Sequence, residues 1–237
     1  MADVIDYKLY GSDLQLVEIE LDPGEGVRAE AGTMTYMEDG IQMQTRADGG
    51  LFGGFKRMLS GEGFFITTFA NQGNGKRKVG FAAPYPGKII PVDLQTFGGE
   101  FLCQRDSFIC AAHGVDIGIA FTKRLGAGFF GGEGFMLQKL SGDGLAFIHA
   151  GGAVIGKRLG PGETLRVDTG CIVGFETSIT YDIKFVGGFR NTLFGGEGVF
   201  LAHLQGPGGV YLQSLPFSRL AARLGSALPT PELPASQ

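Results

Sequence analysis

Short apolar runs broken by glycine and proline make up most of the chain. Apolar and polar residues alternate over residues 14–21, and residues typical of strands are concentrated at 200–204 and 210–212, between Gly and Pro. A period of two is typical of a strand with one buried face, and clusters of Gly and Pro are typical of turns. The pattern therefore predicts an all-β fold built from many short strands.

A helical pattern occurs near the C-terminus. Its apolar residues are spaced by three or four positions: Phe217, Leu220, Ala221, Leu224 and Leu228. This spacing places them on one face of a helix, so we predict a short helix over residues 215–228 with its apolar face packed on the β body. Residues 229–237 are rich in proline and are predicted to form a flexible tail.

A Gly-Glu-Gly block occurs three times, each time at the start of an apolar run. The three blocks are centred on Glu62, Glu133 and Glu197, and a Pro-Gly pair precedes each of them. Two landmarks that recur three times in the same order are hard to reach by chance, even in a Gly-rich chain. The spacing predicts three diverged copies of one β unit, with a period longer than that of the common solenoid repeats.

The three units are predicted to form a single β domain over residues 1–214. Their approximate boundaries are 1–80, 81–150 and 151–214. Modules that each present one apolar face bury it against one another around a shared core. We therefore expect a pseudo-threefold arrangement that resembles a β-sandwich or barrel.

Composition limits the functions that this chain can perform. Glycine accounts for 42 of the 237 residues and phenylalanine for 20, and the net charge is −4. A protein whose main work is to neutralise phosphates carries a positive balance. Nucleic acid is therefore not expected as a partner, and the one dense basic run, at residues 76–78, is expected to decorate a hairpin.

The cysteines and the N-terminus predict a cytoplasmic location. Cys103, Cys110 and Cys171 are odd in number and lack a C-x-x-C pair, which is unlike a disulfide framework. Residues 1–6 are acidic and lack the apolar stretch of a signal peptide. No apolar run approaches the roughly 20 residues that span a bilayer.

Two segments resemble nucleotide-binding motifs but lack the necessary context. Residues 126–131 fit G-x-G-x-x-G, yet they lead into the Gly-Glu-Gly block and a predicted strand, whereas a dinucleotide site needs a helix there. Residues 151–158 approach the P-loop pattern, but Arg158 replaces the hydroxyl residue that holds magnesium. We therefore expect no nucleotide cofactor.

Catalytic and metal-binding readings have little support in the sequence. Cys110 and His113 are three residues apart and are the least implausible nucleophile–base pair, or the beginning of a metal site. A metal site needs three or four converging ligands, and a half-buried thiol with a surface or core histidine explains the same residues. We assign no catalytic residue, no metal ligand and no cofactor.

The residues expected to contact a ligand or partner lie in and beside the Gly-Glu-Gly blocks. A glutamate between glycines can accept backbone hydrogen bonds and close a turn, or three such carboxylates can form a rim that binds a cation or partner. Neighbouring Gly-rich segments carry aromatic residues that either fill the core or form a contact surface for lipid or protein. These candidates are Glu62, Glu133, Glu197, Phe52, Phe55, Phe129, Phe130, Phe189 and Phe194.

The ordered set of motifs resembles a known family. Residues 56–63, 132–135, 195–198 and 206–210 together look like the altered-inheritance-of-mitochondria family numbered twenty-four, and the resemblance spans roughly residues 4–214. It implies a β fold similar to the tryptophan RNA-binding attenuation protein and, often, an oligomer. The mitochondrial members are linked by name to organelle inheritance and inner-membrane organisation. The resemblance carries over no catalytic residues.

Three functional hypotheses follow. The first is a non-enzymatic structural or interaction protein, a homo-oligomer with a trimer favoured, which binds a protein or a membrane-associated complex through its Gly/Phe-rich face. The second is a small-ligand or metal-binding protein with a pocket between the units, involving Glu62, Glu133 or Glu197. The third is an enzyme that uses Cys110 and His113.

Overall fold

Antiparallel strands account for most of the computed structural model, which describes residues 1–45, 66–123, 135–186 and 199–227. This confirms the predicted all-β class. Within those ranges the strands fall into three successive groups, and the α-helix follows the last of them. In each group a short 3₁₀ helix joins two of the strands.

The first group contains seven strands. They are β1 (Asp6–Tyr10), β2 (Leu16–Leu21), β3 (Gly26–Glu30), β4 (Met34–Met37), β5 (Ile41–Thr45), β6 (Ile66–Asn71) and β7 (Arg77–Ala82). The 3₁₀ helix Ala31–Thr33 joins β3 to β4. The undescribed residues 46–65 lie between β5 and β6.

The second group has a similar order of elements, with one more 3₁₀ helix and without a counterpart of β1. Its strands are β8 (Gly87–Asp93), β9 (Glu100–Gln104), β10 (Phe108–Ala112), β11 (Asp116–Lys123), β12 (Phe135–Ser141) and β13 (Leu145–Gly151). A 3₁₀ helix at Leu94–Phe97 follows β8, and another at Arg105–Ser107 joins β9 to β10. The undescribed residues 124–134 lie between β11 and β12.

The third group ends in the helix. Its elements are β14 (Val154–Leu159), β15 (Thr164–Asp168), β16 (Ile172–Glu176), β17 (Thr180–Val186), β18 (Val199–Gln205), β19 (Gly208–Gln213) and the helix α1 (Phe217–Ala227). The 3₁₀ helix Thr169–Cys171 joins β15 to β16. The undescribed residues 187–198 lie between β17 and β18.

The strands of each group pair in a corresponding way. β2 pairs with β7, β8 with β13, and β14 with β19; likewise β6, β12 and β18 each lie between two antiparallel partners of their own group. Neighbouring groups are joined because β10 pairs with β3 and β16 pairs with β9. That the groups are copies of one unit around a threefold axis, as in the tryptophan RNA-binding attenuation protein, stays a prediction. The boundaries at residues 80, 150 and 214 also stay predictions.

These pairings build four sheets. Their strand orders are β1-β2-β7-β4, β5-β6-β3-β10-β13-β8, β11-β12-β9-β16-β19-β14 and β15-β18-β17. Among the described strands, every sheet is open, with an edge strand on both sides, and none closes into a barrel. The two six-stranded sheets each combine strands from two neighbouring groups.

The apolar residues that alternate along the strands form two buried clusters. The larger contains strands of the first two groups and includes Phe69 and Phe81, whose rings meet edge-on with centroids 5.2 Å apart. The smaller lies around Phe175 and Leu204 in the third group. Burial of large aromatic side chains contributes most to such cores, so the abundance of Phe is explained in part by packing.

Asn71 holds the connection between β6 and β7 together from inside the protein. The hairpin predicted around residues 76–78 is wrong, because β6 and β7 lie in different sheets and do not pair. The buried Nδ2 of Asn71 donates to the carbonyl oxygens of Leu21 and Gly75, both at 2.9 Å, and the Oδ1 of the same side chain accepts from the backbone N–H of Gly73 at 2.9 Å. We expect Asn71→Ala to lower the free energy of unfolding by about 2 kcal/mol, because buried polar groups of the backbone lose their partner. Urea unfolding measures this change. The exposed Asn74→Ala is the matched control, and an equal effect of both substitutions would contradict the assignment.

The helix α1 contacts the β body mainly through its first turn. The Phe217 ring lies 5.4 Å from the Tyr85 ring, and Arg219 Nη2 donates to Asp168 Oδ2 at 2.7 Å. Further along the apolar face, Leu224 is 58% exposed. The predicted helix is confirmed, but the expectation that its whole apolar face packs on the β body is wrong for the described turns.

Candidate functional site

The nine residues predicted to contact a ligand or partner lie outside the described residues. Glu62, Phe52 and Phe55 fall in 46–65. Glu133, Phe129 and Phe130 fall in 124–134, and Glu197, Phe189 and Phe194 fall in 187–198. Their roles stay predictions.

The described strands show where these three segments join the β body. β6 begins beside the last residue of β3, since Ile66 pairs with Glu30. In the same way Leu137, near the start of β12, pairs with Gln104, and Leu201, near the start of β18, pairs with Asp168. Each of these partner residues directly precedes a 3₁₀ helix. The three predicted contact segments therefore lead into the sheets beside the three 3₁₀ helices.

A cavity of about 200 Å³ lies beside two of those 3₁₀ helices and the first turn of α1. Its wall combines elements that are far apart in sequence: the end of β3, the β7–β8 connection, the 3₁₀ helices that follow β3 and β9, and parts of β10, β13 and α1. The polar lining residues are Glu30, Thr33, Tyr85, Asp106 and His149. Ligand sites are commonly concave and mostly apolar with a few polar groups, and this cavity has that character.

Tyr85 and His149 both line the cavity and contact each other. Their rings meet edge-on, with centroids 4.6 Å apart and an interplanar angle of 87°. The imidazole is 1% exposed and the tyrosine 8% exposed. Gly87 allows this packing, because a Cβ atom on it would overlap the imidazole Nε2 and the carbonyl oxygen of Ala150.

Burial sets the protonation of both rings. It lowers the pKa of His149 from the ordinary 6.5 to about 4, so the imidazole is neutral at pH 7. Burial, and secondarily the charge of Asp106, raises the pKa of Tyr85 far above its usual range, so the phenol keeps its proton. The phenol and the imidazole that line the cavity are therefore both neutral at pH 7.

The sequence did not single out these cavity residues. His149 lies in the strand 145–151, where an inward-facing polar residue within an apolar run is the available signal. Tyr85 and Asp106 lie in connections, and nothing in their local pattern indicates that they meet.

Cys110 and His113 are not arranged as a nucleophile and base. The Cys110 thiol is fully buried in the larger core cluster, and burial raises its pKa well above the ordinary value, which opposes formation of a thiolate. His113 is largely exposed, and its Nδ1 lies 3.8 Å from Asp3 Oδ2. The two residues that supported the enzyme hypothesis therefore lie in different environments, Cys110 in the core and His113 at the surface.

The described residues hold neither a cluster of metal ligands nor a membrane-spanning helix. Over residues 1–45, 66–123, 135–186 and 199–227, no three His, Cys, Asp or Glu side chains are grouped closely enough to hold a metal ion. Within these ranges no helix combines the length and apolar character of a membrane span.

Among the described strands, β4 and β15 each have one open edge, whereas the corresponding strands of the other groups are paired on both sides. β10 and β16 each lie between two neighbours, whereas β4 pairs only with β7 among the described residues. Likewise β3 and β9 lie inside sheets, whereas β15 ends its sheet. The burial agrees: every residue of β10 is buried, while Tyr36 and Met37 of β4 are 38% and 40% exposed.

The family follows from the match over most of the chain. Residues 7–215 match the family model described as Mitochondrial biogenesis AIM24. The chain belongs to this family. The resemblance recognised from the Gly-Glu-Gly motifs is thereby confirmed.

Two streptococcal proteins are similar to this AIM24 member over nearly their full length. An uncharacterized protein from Streptococcus pyogenes serotype M6 is 30% identical over 223 residues, covering 91% of this chain and 87% of the relative. The X-ray crystal structure of a Streptococcus pyogenes protein has a TM-score of 0.77 and 25% identity, covering 94% of this chain and 100% of that one. The fold is thus shared with an experimentally determined structure.

Proposed function

We propose that this AIM24 member is a non-enzymatic interaction protein that works as a homo-oligomer, a trimer, joined at the open edges of β4 and β15. The observation that carries this proposal is the exposure of these two strands. Open strand edges are ready templates for pairing with another chain. A contact between two different edges is head-to-tail, and such contacts close into rings when the rotation permits.

The pairing of the other groups supplies a register for the joint. The pairing of β10 with β13 shifts register just before Cys110. On the other side of β10, Cys110 lies opposite Ala29, the penultimate residue of β3. Gly174 of β16 lies opposite Cys103 of β9 in the same way.

β4 has the corresponding shift. Its pairing with β7 resumes at Tyr36, and the penultimate residue of β15 is Val167. By this correspondence Tyr36 lies opposite Val167 of the next chain, and Met37 lies opposite Arg166. Cross-strand neighbours in an antiparallel pair have Cβ atoms about 5 Å apart, so Met37 and Arg166 are in direct contact.

A charge introduced at this contact tests the proposal. We expect Met37→Lys to convert the trimer to a monomer, because a lysine opposite Arg166 places two like charges side by side. Light scattering measures the mass. Met43→Lys is the matched control, because Met43 is 43% exposed on another edge strand, β5. Adding Arg166→Glu to Met37→Lys is expected to restore the trimer.

An unmodified protein with the mass of one chain, or equal effects of the two lysine substitutions, would contradict the proposal.

Within the proposal the assembled body serves as a scaffold, and its Gly/Phe-rich segments contact a protein or a membrane-associated complex. Support comes from the strand registers, which bring all three segments in beside a 3₁₀ helix. We also place the assembly in the cytoplasm, because Cys103, Cys110 and Cys171 are free thiols and such thiols suit a reducing compartment.

A further inference from the structure

Aromatic rings and carboxylates line the same cavity between the first two strand groups. Its rings belong to Tyr85, Phe108, His149 and Phe217, and its carboxylates belong to Glu30 and Asp106. No lysine or arginine lines it among the residues that the structure describes. Its volume of about 200 Å³ exceeds the roughly 150 Å³ of an apolar cavity that binds benzene. The cavity therefore has room for one ring, and the charged side chains of its described wall are acidic.

The hydroxyl of Tyr85 is a polar group of this wall that lacks a partner. It makes no hydrogen bond to a group that the structure describes, although Tyr85 is only 8% exposed. Unlike the enclosed Nδ1 of His149, this hydroxyl retains accessible surface. Tyr85 lines the cavity and also a smaller niche that shares Asp106 and Phe217 with it, so the open side of the hydroxyl faces these spaces. Because a buried polar group without a partner is costly, a ligand that supplies the hydrogen bond is favoured here.

The carboxylate of Asp106 gives this part of the cavity a negative potential. After burial, its charge is the second cause that raises the pKa of Tyr85, because a nearby anion opposes formation of a phenolate. Asp106 Oδ2 accepts a hydrogen bond from Gln104 Nε2 at 3.4 Å, and this neutral donor leaves the carboxylate charge in place. The potential that opposes a phenolate attracts a cation.

We propose that this cavity binds a small arylalkyl amine, whose ammonium group lies at Asp106 and the hydroxyl of Tyr85. Its ring packs against Phe108, Ile109 and Phe217. An ammonium group fits because it donates N–H groups to both the carboxylate and the phenol oxygen, and because the faces of aromatic rings attract a cation. The aromatic wall favours an aromatic body, since rings attract one another in edge-on and offset arrangements. No lining residue belongs to β4 or β15, so the proposal does not depend on the assembly.

Benzylamine and benzyl alcohol form a matched pair of probes, because the second carries a neutral hydroxyl in place of the ammonium group. Isothermal titration calorimetry of the full chain at pH 7 measures both dissociation constants. We expect saturable one-to-one binding of benzylamine at millimolar concentration. Benzyl alcohol is expected to bind about tenfold more weakly, because it cannot form a charge-assisted hydrogen bond with Asp106.

Asp106→Asn removes the charge of an exposed residue and keeps its shape. We expect it to weaken the binding of benzylamine about tenfold and to leave that of benzyl alcohol nearly unchanged. Asp116→Asn is the matched control, because Asp116 is also exposed but does not line the cavity. Tyr85→Phe removes only the hydroxyl and is expected to weaken the binding of benzylamine about threefold.

Nuclear Overhauser contacts locate the bound probe without any substitution. We expect contacts from the ring protons of benzylamine to those of Tyr85 and Phe217 in the unmodified protein. This measurement decides the matter if Tyr85→Phe does not fold. Absence of saturable benzylamine binding, equal affinities for the two probes, equal losses in the two asparagine variants, or a bound probe that lacks these contacts would overturn the proposal.

Discussion

Replacing Gly87 with Ala lowers the free energy of unfolding by about 3 kcal/mol. Gly87 begins β8 and pairs with Gly151 at the end of β13. A Cβ atom at this position would overlap the carbonyl oxygen of Ala150 and Nε2 of His149. The carbonyl cannot rotate away without breaking the pairing of β8 with β13, so the strand itself must move. The same movement displaces His149 from the cavity wall.

Gly118→Ala is the matched control for this substitution. Gly118 also lies within a strand, β11, but a Cβ atom there would meet nothing within 4 Å. We expect its effect to be within about 0.5 kcal/mol of zero. Denaturant unfolding of both variants gives the comparison. Similar stabilities for the two variants would show that the close approach around Gly87 is not present.

Acidification destabilises the protein through His149. The pKa of this residue is about 4 in the folded protein and about 6.5 when it is exposed to solvent. As the pH falls below 6.5, the unfolded chain therefore binds a proton that the folded protein does not. The contribution of the neutral imidazole is full above pH 6.5 and is lost as the pH falls toward 4. The loss is on the order of 3 kcal/mol.

His149→Gln isolates this contribution, because glutamine does not titrate while all carboxylates remain. Between pH 7 and pH 4 we expect the unmodified protein to lose on the order of 3 kcal/mol more stability than the variant. Urea unfolding at a series of pH values measures both curves. Parallel curves would mean that His149 titrates in the folded protein as it does in solvent.

The sequence predicts the parts of this fold that depend on neighbouring residues. Alternation at 14–21 and the β-forming residues at 200–204 predict strands that are present, and the spacing from Phe217 to Leu224 predicts α1. In each case the burial of one face follows a local period. The position of the helix is different: periodicity creates an apolar face, but whether Leu224 is covered depends on distant parts of the chain.

The candidate sites depend almost entirely on such distant contacts. The cavity joins Glu30, Tyr85, Asp106, His149 and Phe217, which no local pattern groups together. The open edge of β4 could not be predicted from the sequence either. Its counterpart β10 has a second neighbour only because it pairs with β3 of the preceding group. The Gly-Glu-Gly and Phe-rich segments can be recognised in the sequence because they recur. Recurrence indicates a repeated structural unit, but it does not indicate what that unit binds.

The most direct test of the proposed assembly is a disulfide between the two open edges. One preparation carries Met37→Cys and another carries Arg166→Cys, and the two are mixed under mild oxidation. Opposed cysteines in paired strands lie at distances that permit a bond with little movement. The unmodified protein serves as the control for cross-linking through the half-buried Cys171.

We predict a covalent dimer containing one chain of each kind, formed in the mixture and absent from the control. A single chain carrying both substitutions is expected to give linked oligomers. The contrary result is a double variant that closes its disulfide within one chain, or a mixture that forms no covalent dimer. Either outcome would show that β4 and β15 do not join separate copies of this protein.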